Sequence, residues 1–289
     1  MNKWHIVVDL EKCVGCYNCL MACKDEFVDN DWPPYTRKQQ KHDDKWINPV
    51  RHERGSAPHT DVCFVTKMCQ HCENAPCAKA APGAVTKRPD GIVLLDVYKA
   101  KGNRELVKAC PFGAIQWNEE LKVAQKCTLC AHLLDQGWKE PRCVQACPIR
   151  ALSVVNCSDE DWEGLSNREE LESLYPGNHK PKVRYKNLYR YNKCFIAGAA
   201  AYDDHGVETA ATNARATIKK DGTMLETMYV DFLGEFKFDK LQPESGVYTI
   251  EVDMPGFKRA VKEVELGRES PDIGVMIIPG TTLIIPQFQ

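Results

Sequence analysis

Long apolar runs are missing from this 289-residue chain. No uninterrupted stretch approaches the roughly 20 residues that a membrane-spanning helix needs, so direct membrane association is not expected. The N-terminus, Met1-Asn2-Lys3-Trp4-His5-Ile6-Val7-Val8-Asp9, has no apolar core region and no twin arginine and goes straight into strand-like alternation, so no export signal is read there. Basic excess is missing too. A net charge of -2 argues against bulk electrostatic binding to nucleic acid. There is no glycine-rich nucleotide loop and no nucleophile–base pair, so the isolated chain is expected to be non-catalytic. Cysteine is scarce only in the second half: fourteen of the fifteen precede residue 160, and Cys194 stands alone beyond it. Without an export signal the expected compartment is the reducing cytoplasm, where clustered cysteines bind metal instead of pairing with each other. A partner with its own export signal would be the one route across a membrane.

What the chain has is a cysteine grammar. The first run, Cys13-Val14-Gly15-Cys16-Tyr17-Asn18-Cys19-Leu20-Met21-Ala22-Cys23, is spaced C-x2-C-x2-C-x3-C. The second is Cys69, Cys72 and Cys77. Cys110-Pro111 follows, then Cys127 with Cys130, and Cys143 with Cys147-Pro148. Three close cysteines wrap one cubane cluster, and the fourth, expected to open a helix, points to a neighbouring cluster, as in two-cluster ferredoxins. A proline after that cysteine removes a competing N–H. Zinc prefers paired C-x2-C knuckles or knuckles mixed with histidine, which the triple run at 13–23 does not suit.

Half-sites of this kind pair, the first with the fourth and the second with the third. Cys13, Cys16 and Cys19 are therefore expected to share a [4Fe–4S] cluster with Cys147, and Cys127, Cys130 and Cys143 to share one with Cys23. In the inner pair, Ala80-Ala81-Pro82 stands where the second half-site should place its swapping cysteine. The stretch Ala100 to Leu106 has none of the three cysteines due before Cys110. Those two losses remove all four ligands of one cluster and leave its neighbour whole, on Cys69, Cys72, Cys77 and Cys110. The expectation is three clusters on twelve cysteines. Cys63, Cys157 and Cys194 are left as small buried hydrophobes.

The organisation follows. Residues 1–157 are read as a duplicated ferredoxin-like domain, with strands at Gly91–Asp96, Ala114–Trp117 and Ala151–Val155 and short helices after the swapping cysteines. An insertion at 25–66, rich in Pro, Trp and charge, either covers the clusters or meets a partner, where Trp, Tyr and Arg are favoured. Residues 158–191 are read as a linker and subunit-contact segment: an acidic helix over 158–175, then a basic aromatic stretch from Lys180 to Tyr191 lying on a partner. From 192 to 289 the pattern is all-β, with alternation at Ala214–Ile218, Phe236–Phe238 and Tyr248–Val252 and turns at Asp221-Gly222, Leu233-Gly234 and Pro255-Gly256. It predicts a small antiparallel, immunoglobulin-like sandwich, giving an α+β chain overall. No metal or catalytic cluster is read in it, and His205 is a loop residue.

Several stretches carry a family resemblance: Trp32-Pro33 with Tyr35-Thr36, Glu53-Arg54-Gly55, Asp90 to Leu94, Trp117 to Glu120, Val123 to Thr128, Cys130 to Asp135, Tyr185 to Arg190, and Phe232 to Leu241. With the half-sites they resemble the iron–sulfur subunits of the dimethyl-sulfoxide-reductase superfamily of molybdenum and tungsten enzymes, and within it the small-subunit family of pyrogallol–phloroglucinol transhydroxylases. The resemblance covers nearly the whole chain, the β domain included; residues 135–150 and 156–182 match poorly. It implies an electron-transfer subunit paired with a large catalytic subunit that alone holds molybdopterin and Mo or W, in a soluble heterodimer or a higher oligomer of heterodimers, acting on polyhydroxylated aromatics. In the superfamily the missing cluster is the one nearest a membrane quinol partner, so its loss fits a soluble enzyme. The competing readings are a wire for a formate dehydrogenase, a respiratory reductase or a resorcinol hydroxylase, and clusters with a mainly structural role.

Overall fold

The computed structural model describes residues 1–175 and 177–280. The chain divides into two compact units, residues 1–52 with 63–188 and residues 53–62 with 189 onward.

The first unit begins with β1 (Lys3–Asp9) and α1 (Asn18–Phe27), followed by the hairpin β2 (Ile47–Ser56) and β3 (His59–Met68), whose tip counts with the second unit. Next come α2 (Pro76–Ala80), the hairpin β4 (Val85–Lys87) and β5 (Val93–Leu95), α3 (Leu106–Ala109), and the hairpin β6 (Ile115–Asn118) and β7 (Val123–Lys126). The chain continues through α4 (Ala131–Asp135), α5 (Arg142–Gln145), β8 (Leu152–Cys157), α6 (Asp159–Arg168) and β9 (Val183–Lys186). β1 is central: β8 runs antiparallel to it, with Lys3 opposite Cys157, and β9 runs parallel, with Ile6 opposite Val183.

Two expectations change here. The helices lead into the swapping cysteines instead of following them: α3 ends before Cys110, α5 ends before Cys147, and Cys23 lies inside α1. The proline after Cys110 and after Cys147 is the reason, since the residue before a proline is pushed out of helical conformation. Cys110 is extended, with φ -93° and ψ 109°.

The stretch read as a linker is built mostly into the first unit. Ser158 caps α6 by accepting the Asp161 N–H, and Asp159, Glu160 and Asp161 fill the first turn, where the helix dipole favours negative charge. β9 then returns alongside β1. Its basic residues meet the acidic segment before it: Lys182 with Asp159 at 3.2 Å, Arg184 with Glu163 at 2.7 Å, and Lys186 with Glu169 at 2.6 Å. The acidic helix and the basic strand complement each other within one unit.

The insertion packs inward. Trp46 is 2 % exposed and lies against Phe27 at 4.8 Å, while Trp32 stacks on His132 of α4 at 4.2 Å. Tyr35 donates to Asp135, which also receives both ends of the Arg88 guanidinium. At the spacing of the run 13–23, the vacated ligand positions fall on Ala81, Ala100, Asn103 and Leu106. Ala81, Ala100 and Leu106 are buried in one apolar core with Val85, Leu95, Val97 and Ile115.

The second unit includes α7 (Tyr189–Asn192) and, among the described residues, eight strands from β10 on: β10 (Cys194–Asp204), β11 (Val207–Ala210), β12 (Arg215–Lys220), β13 (Thr223–Tyr229), β14 (Glu235–Leu241), β15 (Gly246–Asp253), β16 (Ala260–Leu266) and β17 (Asp272–Ile278). One sheet has the order β11-β10-β14 with β17 also on β10; the other is β13-β12-β15-β16. Both inner faces feed one core that includes Ile196, Phe236, Phe238, Ile250, Val252 and Ile278. The arrangement is not wholly antiparallel, because β17 returns parallel to β10. Asp221 and Gly222, both left-handed at φ 49° and 76°, make the tight β12–β13 turn, and His205 sits in the exposed β10–β11 turn. The tail at 281–289 lies outside the described residues.

Inside this unit Arg54 is clamped. Its guanidinium donates to Asp61 at 2.7 and 2.9 Å and grips both oxygens of Asp239 at 2.6 and 2.8 Å, between the rings of Tyr189 and Phe195. Of the leftover cysteines, Cys63 and Cys194 are buried as expected, whereas Cys157, at the end of β8, is only half-buried.

Candidate iron–sulfur centres

The half-site loops share one backbone device. The residue before the second cysteine of the C-x2-C that opens each of these three half-sites is left-handed: Gly15 at φ 67°, His71 at 43° and Leu129 at 55°. That turn sends the residue's own N–H back to the first sulfur, from Gly15 to Cys13, His71 to Cys69 and Leu129 to Cys127, the last at 3.3 Å. Such bonds stabilise a thiolate over a thiol. At Gly15 a Cβ would lie 2.3 Å from the Phe64 ring, which would have to move to admit any other residue.

The structure brings the predicted sets together. Cys13, Cys16, Cys19 and Cys147 line one recess, walled by Val8, Thr66 and Leu152 among others. Burial pushes the Cys19 thiol up to about 12, and charge on Cys13, Cys147 and Cys16 adds to that. Cys23 and Cys143 are raised well above the ordinary thiol range by burial first and then by their neighbours, Cys127 and Cys130 for both, with Cys23 also acting on Cys143. Burial lifts Cys72 to about 12, followed by the influence of Cys69, Cys110 and Cys77. The neighbourhoods are thus 13, 16, 19 and 147; 23, 127, 130 and 143; and 69, 72, 77 and 110.

Buried thiols that raise one another, as Cys23, Cys130 and Cys143 do, resist ionising, so the second set needs compensating positive charge of the kind that bound iron supplies. In the third set burial raises Cys69, but His71 and Lys126 outweigh it and hold the thiol down to about 5. Among the described residues, no three His, Cys, Asp or Glu side chains converge on a point that a single ion could occupy; the first set faces a volume instead. Buried polar atoms left without oxygen or nitrogen partners, Thr128 Oγ1 and His71 Nε2, lie in the half-site loops, where cluster sulfur would accept from them. The residues fit [4Fe–4S] clusters.

Comparison with known proteins agrees. A 4Fe-4S binding domain family matches residues 4–25, and a 4Fe-4S dicluster domain family matches residues 60–157. The chain is 41% identical over 278 residues to the pyrogallol hydroxytransferase small subunit of Pelobacter acidigallici, covering 95% of this chain and 98% of that one. The protein belongs to this iron–sulfur small-subunit family. More distant members of the wider family match only part of it. A subunit of the sulfite dehydrogenase of Allochromatium vinosum is 36% identical, over 56% of this chain and 72% of its own. The thiosulfate reductase electron transfer subunit of Salmonella typhi is 36% identical, over 59% and 84%. No helix among the described residues is long and apolar enough to cross a membrane.

Sequence reasoning missed two side chains at these centres, His71 and Lys126, which are buried between cysteine sets. Each neighbours a cysteine in sequence, but nothing in the spacing says which set its side chain faces.

Proposed function

We propose that this chain is the electron-transfer subunit of a molybdopterin oxidoreductase acting on polyhydroxylated aromatics. It would hold three [4Fe–4S] clusters, on Cys13, Cys16, Cys19 and Cys147, on Cys23, Cys127, Cys130 and Cys143, and on Cys69, Cys72, Cys77 and Cys110. Each cluster, when bound, supplies reversible one-electron storage. The chain's own residues deliver the thiolates, aim backbone N–H groups at them and exclude water. Molybdopterin with Mo or W belongs to the large partner, and the compartment is the cytoplasm. The second unit, two sheets on one core, is read as an immunoglobulin-like sandwich.

The observation that carries the reading is the surface of the first set. Cys16 is exposed, and Val14 (64 % exposed), Met21 (63 %), Ile149 (40 %) and Tyr17 (39 %) stand around it. Apolar side chains around a near-surface redox group suit contact with a permanent partner, which would exclude water and shorten electron transfer. The occupant proposed is the large catalytic subunit. Iron analysis and EPR on the purified complex test the reading. Close to twelve irons per chain are expected. Cys147→Ala should remove one cluster signal and weaken co-purification of the large subunit. Three unaltered signals in that variant would overturn the ligand assignment.

A further inference from the structure

Two buried polar side chains, neither of them a ligand, lie between the second and third cysteine sets. His71 is 2 % exposed and Lys126 3 %. The backbone of Val93 holds both. Its N–H donates to His71 Nδ1 at 3.1 Å, and its carbonyl accepts from Lys126 Nζ. Because Nδ1 accepts, the neutral ring carries its proton on Nε2. That nitrogen has no oxygen or nitrogen acceptor and faces sulfur instead. The sulfurs acting on the ring are Cys69 of the third set and Cys127 of the second.

Lys126 donates to two carbonyls, those of Val93 and Cys127, the latter at 3.0 Å, so both its acceptors are uncharged. Its charge acts on Cys69, Cys77 and Cys110, three of the four thiols of the third set. A buried ammonium held only by neutral acceptors is costly unless an anion is close. Cluster-bound thiolates would be that anion.

We propose that His71 and Lys126 form an electropositive partition between the second and third clusters, which raises the reduction potential of the third. This rests on the three sets being cluster ligands. A fixed positive charge and an N–H aimed at sulfur both favour the reduced, more negative state of a cluster. Val93 keeps the two side chains in register, so they act as positioning and tuning residues.

The test is an EPR-monitored redox titration of the whole complex, with iron counted in every sample. Lys126→Met keeps the length of the side chain and removes its charge. It should leave the iron unchanged and make one cluster about tenfold harder to reduce, a fall of about 59 mV for a one-electron couple. Lys126→Arg should restore the potential. His71→Asn tolerates the left-handed backbone and can still accept from Val93, but it cannot reach the sulfurs. It should move the same signal in the same direction by about threefold. Unshifted potentials in an iron-replete Lys126→Met protein would overturn the proposal. If that variant loses iron, an unshifted His71→Asn protein overturns it instead. Failure of the underlying reading looks different: Cys110→Ala would then lose no iron.

Discussion

The two units are held together by different means. The second closes two sheets over one continuous apolar core and adds the Arg54 clamp. The first uses its short helices and hairpins to present cysteines, and an apolar core around Ala81, Ala100 and Leu106 takes in positions that the half-site spacing would give to ligands. The difference teaches that one chain can spend one part on presenting ligand side chains and keep another for continuous side-chain packing.

Removing iron should break the comparison open most widely. All six tryptophans, at 4, 32, 46, 117, 138 and 162, belong to the first unit, so their fluorescence reports on it alone. After anaerobic chelation the tryptophan emission is expected to shift to the red as the first unit loses its buried surfaces, while the far-UV β signal of the second unit persists. Metal-binding free energy is folding free energy where no site exists in the unfolded chain. Simultaneous loss of both signals would show that the units share one source of stability.

Gly15→Ala should reproduce part of that effect with a single methyl group. The left-handed backbone costs a non-glycine residue roughly 1–2 kcal/mol, and the new carbon would lie 2.3 Å from Phe64. Iron should fall by about a third, one of three clusters, with the other EPR signals retained. A fully loaded variant would mean that the loop reshapes freely and that the left-handed turn does not matter for the first set.

Arg54→Met makes the converse cut. It removes the cation that Asp61 and Asp239 share, while Asp61 keeps Arg190 and Asp239 keeps Lys237. Losing hydrogen bonds to charged groups typically costs about 2–3 kcal/mol. The loss should appear in urea unfolding followed by far-UV CD, with iron content unchanged. Equal loss of iron would tie the clamp to the cluster unit.

The cysteine runs were legible because ligand spacing is a local constraint: one short loop must place three sulfurs around one body. The helices at the swapping cysteines were misplaced, although Pro111 and Pro148 held the information. The segment from 158 to 188 was misread for a deeper reason. β9 pairs in parallel with a strand more than 170 residues earlier, and parallel pairing leaves no turn signature between its partners. The complementarity of Asp159, Glu163 and Glu169 with Lys182, Arg184 and Lys186 was visible only as two opposite charge blocks. β17 beside β10, Asp239 beside Arg54, and His71 beside Cys127 are likewise meetings that chain topology makes and that periodicity cannot announce.

The smallest expected effect separates two sources of acid sensitivity within the first unit. His5 is fully buried in β1 and stacks on Trp162 of α6 at 4.1 Å. Burial, and next the charge of Lys182, push its pKa down to about 3, against a weaker opposing pull from Asp159. In the unfolded chain the same ring titrates near 6.5. Between those values the unfolded state binds a proton that the folded state refuses. The contribution is therefore complete above about pH 6.5 and is lost progressively as pH falls toward 3. At pH 5 the loss is roughly 2 kcal/mol. His5→Phe keeps the aromatic stack and removes the titration. Urea unfolding followed by tryptophan fluorescence at pH 7 and pH 5 should show the variant gaining about 2 kcal/mol on the wild type between the two. Cluster loss in acid affects both proteins alike and cancels in that difference. If the two proteins weaken in parallel, His5 is not a source of the acid sensitivity, and the acid response of the first unit belongs to its cysteines.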